Sequence, residues 1–151
     1  MKKLDSRPLF PPGIHLLSFD DFERICVCSF PNDPERLRLF LLFKQWIRQL
    51  RAYQVRAILW VDGSFVTEKA GPGDIDCIMW SPTFAAPLSD DESRKVALLI
   101  DRPTLAAQYG IDLYIESPTP ETALTRASYW RGLFGFQHDG RTAKGIVELR
   151  I

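Results

Sequence analysis

Residues 56–80 place the tightest limit on how this chain can fold. Two short runs of mostly β-forming residues, 56–62 and 74–80, are separated by a loop that carries three glycines. Both runs are mostly apolar and are bounded by polar or turn-forming residues, which is typical of buried strands. A third run of this kind, 111–116, lies further along the chain. We therefore expect a sheet built around these three short strands.

The surrounding segments predict one domain, residues 1–151, of the α/β (α+β) class, in which a small mixed β-sheet is flanked by helices. Apolar residues recur at helical spacing, and Ser or Asp precedes several of these stretches as a candidate N-cap. The predicted helices cover 18–29, 33–53, 90–100, 103–109 and 120–134. A final strand at 146–151 is expected at a sheet edge or docked on the core. Prolines in residues 1–17 predict an extended arm that packs on the body.

The second predicted strand opens with two aspartates at alternate positions, Asp74 and Asp76. Side chains two apart on a strand point to the same face, so these carboxylates are expected to lie close together. Their mutual repulsion favours a bound cation, and Mg²⁺ or Mn²⁺ with oxygen ligands is the natural partner. Asp112, second in the strand 111–116, reaches the same cation if the two strands are neighbours. Gly63 and Ser64, at the end of the first strand, can approach a phosphate chain through backbone N–H groups and a hydroxyl.

This pattern resembles the nucleotidyltransferase superfamily, which includes DNA polymerase β, the CCA-adding enzymes and the minimal nucleotidyltransferases. The residues that carry the resemblance are Asp-Gly-Ser-Phe-Val-Thr-Glu-Lys at 62–69, Pro-Gly-Asp-Ile-Asp at 72–76 and the later strand aspartate. The same motifs also resemble those of a set of small bacterial proteins. These proteins share an arm similar to Leu-Phe-Pro-Pro-Gly-Ile-His, which is at 9–15 in this chain, and a C-terminal strand similar to Gly-Ile-Val, which is at 145–147.

The resemblance implies a nucleotidyltransferase fold with Asp74, Asp76 and Asp112 as the catalytic and metal-binding residues. It implies in-line attack of a hydroxyl on the α-phosphorus of a nucleoside triphosphate such as ATP, with pyrophosphate leaving and Mg²⁺ or Mn²⁺ as the cofactor. The superfamily's active enzymes usually add a helical domain that grips the acceptor, and 151 residues leave little room for it. The arm with the first helices, or a homodimer, are the candidate substitutes. A partner protein is a further candidate for binding.

Gly63, Ser64 and Lys69 are the implied nucleotide-binding residues. Lys69 has an equally good interpretation as a solvated loop charge, and Asp74 with Asp76 can also be surface acids beside a turn. Asp62 is expected to hydrogen-bond the loop backbone. The polar loop 137–145 is expected to be a hairpin turn, although it can also touch an acceptor phosphate.

Three functions follow from these observations. The first is a metal-dependent nucleotidyltransferase that moves a nucleoside monophosphate onto a hydroxyl of a protein, an RNA end or a small molecule, in a toxin–antitoxin or phage-defence setting by analogy. The second is a catalytically degenerate module of the same fold that binds a nucleotide or a partner chain. The third is a phosphodiesterase that uses the same acids with water as the nucleophile.

Charge and cysteine content restrict the setting. The 19 basic and 19 acidic residues balance, which argues against coating long nucleic acids by charge alone. On the long helix 33–53, Arg36 and the other basic side chains are expected to face solvent.

Cys26, Cys28 and Cys77 fit neither a zinc site nor a disulfide framework and are expected to be buried free thiols. No signal peptide or membrane span is predicted, so we expect a cytoplasmic protein with no membrane partner.

Overall fold

The computed structural model describes residues 5–84 and 86–151. Their strands are β1 (Gly13–Leu16), β2 (Val55–Asp62), β3 (Ile75–Phe84), β4 (Ile111–Glu116) and β5 (Gly145–Arg150). They form one sheet in the order β1-β5-β2-β3-β4. The outer pairs, β1–β5 and β3–β4, are parallel, whereas β2 is antiparallel to both of its neighbours. The predicted small mixed sheet of an α/β (α+β) protein is confirmed.

Four of the five α-helices in the described residues, all except the last, begin after a capping side chain. They are α1 (Phe19–Glu23), which continues into a π-helical turn (Arg24–Cys28), α2 (Pro34–Ala52), α3 (Asp90–Leu99), α4 (Arg102–Tyr109) and α5 (Ala123–Phe134). The side chains of Ser18, Asp33, Ser89 and Asp101 each accept a hydrogen bond from the backbone N–H three residues later. Such caps satisfy N–H groups that have no partner within the helix. None of the helices in the described ranges is both long and apolar enough to cross a bilayer.

The sheet buries both of its faces. The larger core packs α2, α3 and α4 against one face, which presents Leu59, Val61, Cys77, Met79 and Leu113. A smaller cluster covers the opposite face and contains Trp60, Ile78, Trp130 and Ile146. Alternate residues of the central strands therefore serve two cores, which is why β2 and β3 are mostly apolar rather than alternating. One end of the sheet is left for the polar residues at the strand ends.

The N-terminal arm forms a strand that the sequence did not predict. Residues 13–16 pair with β5 in parallel, with Gly13 opposite Gly145. Before that strand, the arm runs beside the loop after β2, where the Leu9 N–H donates to the Val66 carbonyl over 3.0 Å.

The pairing of β1 with β5 places β5 between β1 and β2. Of the two positions expected for this strand, the sheet edge is wrong, because β1 covers that side. The position against the core is confirmed, since Val147 and Leu149 belong to the larger core.

Two expectations about buried residues also need correction. Arg36 is completely buried rather than facing solvent, because backbone carbonyls surround its guanidinium. Among the cysteines, Cys26 and Cys77 are buried free thiols, whereas Cys28 is exposed at the end of the π-helical turn.

Candidate functional site

Three aspartates lie side by side where the central strands meet. Asp62 of β2 pairs with Asp76 of β3, and Asp76 pairs with Asp112 of β4. Directly opposed residues project to the same face of a sheet, so strand register alone forms this row. Asp74 lies one residue before β3 and two before Asp76, and it extends the acidic row to four residues.

A cavity of about 560 Å³ opens over the acidic row. Its walls include every residue that the sequence predicted for a site: Gly63, Ser64, Lys69, Asp74, Asp76 and Asp112. The arm contributes Asp5 and Ser6, and the end of α5 and the following loop contribute apolar residues such as Leu133 and Phe136. The cavity therefore joins an acidic floor to a partly apolar wall.

The backbone of Gly63 lies directly against the carboxylate of Asp76. Gly63 has φ +79° and ψ −161°, a combination that is essentially restricted to glycine. A Cβ atom at this position would lie 1.8 Å from Asp76 Oδ2. Only glycine can bring the chain so close to this acid, and Ser64 follows at once in a short 3₁₀ turn (Ser64–Val66) on the cavity wall.

Arg36 holds the loop that follows Gly63. Its two terminal nitrogens donate to four backbone carbonyls, those of Cys26, Phe65, Thr67 and Lys69. Its guanidinium carbon lies 4.2 Å from the centre of the Phe30 ring. Asp33 accepts hydrogen bonds from the backbone N–H groups of Arg36 and Gly71. The first turn of α2 therefore fixes the loop between the two predicted phosphate-contacting positions, Ser64 and Lys69.

The third acid has a basic partner. Arg102, at the start of α4, donates from Nε to Asp112 Oδ1 over 2.6 Å and from Nη2 to the Tyr114 hydroxyl over 2.6 Å. Its guanidinium also lies over the Tyr114 ring. In the part of the chain that the structure describes, no three His, Cys, Asp or Glu side chains, including those of the acidic row, are arranged so that they could hold a metal ion. Arg102 must release Asp112 before that carboxylate can contribute to a shared cation site.

Asp62 forms a buried ion pair rather than a simple loop hydrogen bond. Its side chain is 2% exposed, and its Oδ2 atom lies 3.0 Å from Lys144 Nζ. Burial raises the pKa of Asp62 to about 7, and the neighbouring Asp76 charge adds to the rise, while Lys144 and the Gly63 N–H oppose it. The expected contact with the loop backbone is thus secondary to Lys144.

The loop after α5 closes the cavity on the side of the arm. It is a hairpin turn, as predicted, with an antiparallel bridge between Phe136 and Ala143. The Asp139 carboxylate accepts two backbone hydrogen bonds inside it. At its start, His138 Nδ1 lies 2.5 Å from Asp5 Oδ1, and this hydrogen bond lowers the pKa of Asp5. This hydrogen bond therefore connects the loop after α5 to the arm at the edge of the cavity.

A family model described as a family of unknown function (DUF6932) matches residues 2–150. The chain belongs to this family. No curated protein and no solved structure matches it. The matched region of this DUF6932 chain includes the described part of the arm, the acidic row and β5, so the elements that build the cavity all fall within the family unit.

Sequence reasoning missed three basic residues of this DUF6932 site: Arg36, Arg102 and Lys144. Arg36 had a usable signal, because it precedes Leu39, Phe40 and Phe43 at the spacing of the buried stripe of α2. Lys144 lies in the polar loop 137–145, for which the sequence already suggested a contact with a phosphate, but its partner Asp62 lies 82 positions away. Arg102 had no signal, since only the tertiary fold brings it to Asp112.

Proposed function

We propose that this protein is a metal-dependent nucleotidyltransferase. It transfers a nucleoside monophosphate from a nucleoside triphosphate to a hydroxyl of a protein, an RNA end or a small molecule. The observation that carries the proposal is the contact between the Gly63 backbone and the Asp76 carboxylate, with Asp74 and Asp112 at the same strand ends. This contact puts a phosphate-accessible backbone beside a set of cation-binding oxygens.

The chemical type of the donor set suits a hard divalent cation, although in the described residues these carboxylates do not form a metal site while Arg102 holds Asp112. Asp74, Asp76 and Asp112 supply the carboxylate oxygens that Mg²⁺ or Mn²⁺ prefers, provided that Arg102 releases Asp112. When bound, such a cation neutralises charge on the phosphate chain and on the attacking and leaving oxygens. Gly63, Ser64 and Lys69 line the cavity. We expect the Gly63 backbone and the Ser64 hydroxyl to hold phosphate oxygens and Lys69 to add a positive charge.

The proposed setting is the bacterial cytoplasm. A toxin–antitoxin or phage-defence role is included by analogy with small members of the superfamily. The arm and the loop after α5 meet at one side of the cavity, and we expect them to contribute to binding the acceptor. A partner protein or a second copy of this chain is the remaining candidate for binding the acceptor.

A second candidate function is supported by the Arg102–Asp112 pair. Arg102 donates to Asp112, the third acid, over 2.6 Å. In a degenerate member of the fold, we expect an arginine of this kind to take the place of the bound cation. Such a protein binds a nucleotide or a partner chain without turnover. Arg102→Met separates the two functions, because it removes the competing charge and keeps most of the side-chain volume.

For Arg102→Met, we expect Mn²⁺ affinity to rise about fivefold or more if Asp112 is a cation ligand. Calorimetric titration with Mn²⁺ measures this change, and Arg94→Met on α3 is the control. Unchanged Mn²⁺ affinity in Arg102→Met would favour the non-catalytic function, because Asp112 would then take no part in cation binding.

The main test is calorimetric titration with ATP, GTP, CTP and UTP in the presence of Mg²⁺ or Mn²⁺. The variant Asp74→Asn/Asp76→Asn removes two charges at the site, and Asp90→Asn/Asp91→Asn on α3 removes two exposed charges elsewhere. Metal-dependent binding of a nucleotide that is lost only in the first variant supports the proposal. The bound nucleotide, labelled at the α-phosphate, then serves to detect transfer to acceptors. Binding without any transfer indicates the second function. No binding of any nucleotide refutes the transferase proposal and leaves a module that binds a partner chain.

A further inference from the structure

The cavity contains a buried cation that the predicted site does not include. The Lys144 side chain is 10% exposed, and its Nζ atom pairs with the 2%-exposed Asp62. Lysine normally keeps its ammonium group in water. Here both members of the pair line the cavity, beside Asp76 in the acidic row.

The backbone around Lys144 fixes the position of this ammonium group. The Lys144 N–H donates to the Gly135 carbonyl over 2.8 Å, and the next residue, Gly145, begins β5 and pairs with β1. Its preceding residue, Ala143, bridges to Phe136. Lys144 therefore projects from a backbone that is held on both sides, unlike Lys69, which is exposed on a loop.

The Lys144–Asp62 pair has donors and an acceptor that make no hydrogen bond within the described residues. Within the described residues, the buried Asp62 Oδ1 atom has no donor with hydrogen-bond geometry. An ammonium group has three donors, and in residues 5–84 and 86–151 Asp62 is the one carboxylate that pairs with Lys144. The ammonium donors that remain at the cavity wall can bind an acceptor such as a phosphate oxygen, whereas the Asp62 Oδ1 atom needs a donor and does not itself favour an anion.

The charge of the cavity identifies the class of ligand. Five aspartates line it, namely Asp5, Asp62, Asp74, Asp76 and Asp112. A phosphate chain enters such a cavity only where fixed positive charge offsets the acids, and a lysine ammonium binds phosphate as a compact point charge. Lys144 supplies that charge next to Asp76, where the Gly63 backbone also meets the cavity.

We propose that Lys144 binds the phosphate chain of a nucleotide in this cavity, and that Asp62 is the positioning residue that holds its ammonium group there. The inference rests on the proposed function for the identity of the ligand, a nucleoside triphosphate. It does not depend on transfer to an acceptor.

The test compares phosphate binding with and without the pair. Lys144→Met alone leaves Asp62 buried without its counter-ion, which is expected to destabilise the fold. Lys144→Met/Asp62→Asn removes both charges together. Lys95→Met/Asp91→Asn is the matched control, because that pair is exposed on α3 with its charged atoms 3.2 Å apart. Each protein is titrated with ATP and with inorganic tripolyphosphate in the presence of Mn²⁺, and with Mn²⁺ alone.

We expect the Lys144→Met/Asp62→Asn variant to unfold at a temperature close to that of the wild type and to bind Mn²⁺ normally. Its affinity for ATP and tripolyphosphate should fall about tenfold or more, as expected for the loss of a charge-assisted hydrogen bond. The control should bind both ligands like the wild type.

Wild-type affinity for both phosphates in Lys144→Met/Asp62→Asn would overturn the inference and leave the transferase proposal standing. A parallel loss of Mn²⁺ binding would also overturn it, since Asp62 would then act on the cation. If the wild type binds tripolyphosphate through Lys144 but transfers no nucleotide, the inference holds and the transferase proposal fails. If the wild type binds neither phosphate, both fail.

Discussion

At the scale of single residues, Gly63 is the position where conformation and space are both restricted. Gly63→Ala would force a Cβ atom to within 1.8 Å of Asp76 Oδ2 at a backbone conformation that alanine rarely adopts. We expect a loss of about 1–3 kcal/mol in the free energy of unfolding, because the loop must move away from Asp76. Denaturant unfolding measures this loss, and nucleotide titration should show weakened binding in the same variant.

Gly73→Ala is the matched control for Gly63, since an added Cβ atom there meets nothing within 4 Å. It lines the same cavity but should keep both stability and binding close to wild type. Equal effects of the two substitutions would show that the contact between Gly63 and Asp76 is unimportant.

Glu116 offers a prediction about pH that is separate from the acidic row. Hydrogen bonds from Arg126 lower its pKa below 4.5, burial opposes the shift, and the Trp130 indole N–H adds to it. Because the folded-state pKa is depressed, this stabilisation is present above pH 4.5 and is lost as the pH falls through the folded pKa. Glu116→Gln should therefore cost about 1 kcal/mol at pH 7, a modest value because Arg126 is partly exposed.

The measurement for Glu116 is denaturant unfolding of the wild type and the variant between pH 7 and pH 3. The difference in free energy should shrink below pH 4.5. A difference that stays constant over this range would mean that the variant acts through packing rather than charge.

At the scale of elements, the contact between α2 and the loop after β2 decides the shape of the cavity. Arg36→Met removes the donors to four backbone carbonyls and leaves them buried without their partner. We expect a loss of about 3 kcal/mol or more in the free energy of unfolding. Hydrogen exchange should also accelerate at the Thr67, Glu68 and Lys69 amides, since the loop loses its attachment.

Arg38→Met is the control on the same helix. Arg38 pairs with Glu35 at the surface, and such pairs contribute about 0.5 kcal/mol or less. If both substitutions destabilised the protein equally, the loop would have to be held by contacts other than those of Arg36.

Individual elements were predictable where local pattern determined them. The strand at 111–116 has the predicted bounds, and the helix predicted at 33–53 is α2 with one residue removed at each end, because apolar spacing and the Asp33-Pro34 start are local features. The strand β1 was not predictable, because the prolines and Gly13 of the arm are typical of extended chain and its partner lies 132 positions away.

At the scale of the whole molecule, the candidate site combines local and distant contributions. Gly63, Asp74 and Asp76 could be predicted because they belong to one stretch of sequence. The row that includes Asp112 depends on parallel pairing of β3 with β4, which a single sequence suggests but does not determine. The pairings of Arg102 with Asp112 and of Lys144 with Asp62 depend on packing of distant elements, so no local pattern indicated these pairings.

The arm and the last strand are in direct contact. A Cβ atom at Gly145 would lie 2.4 Å from the Pro11 carbonyl oxygen and 2.6 Å from Phe10 Cβ. The arm therefore crosses closely over the start of β5, one residue after Lys144. Because Asp5 and Ser6 also line the cavity, the arm connects the far edge of the sheet to the site.

We therefore predict that Gly145→Ala displaces the arm. The expected loss is about 1–3 kcal/mol in the free energy of unfolding, because the arm's backbone must shift to admit the methyl group. Hydrogen exchange should accelerate at the Leu9 and Leu17 amides, which donate to Val66 and Glu148. Gly132→Ala on α5 is the control, since its added Cβ atom meets nothing within 4 Å and alanine favours helix. Unchanged exchange at Leu9 and Leu17 in Gly145→Ala would mean that the arm tolerates the methyl group and is held by other contacts.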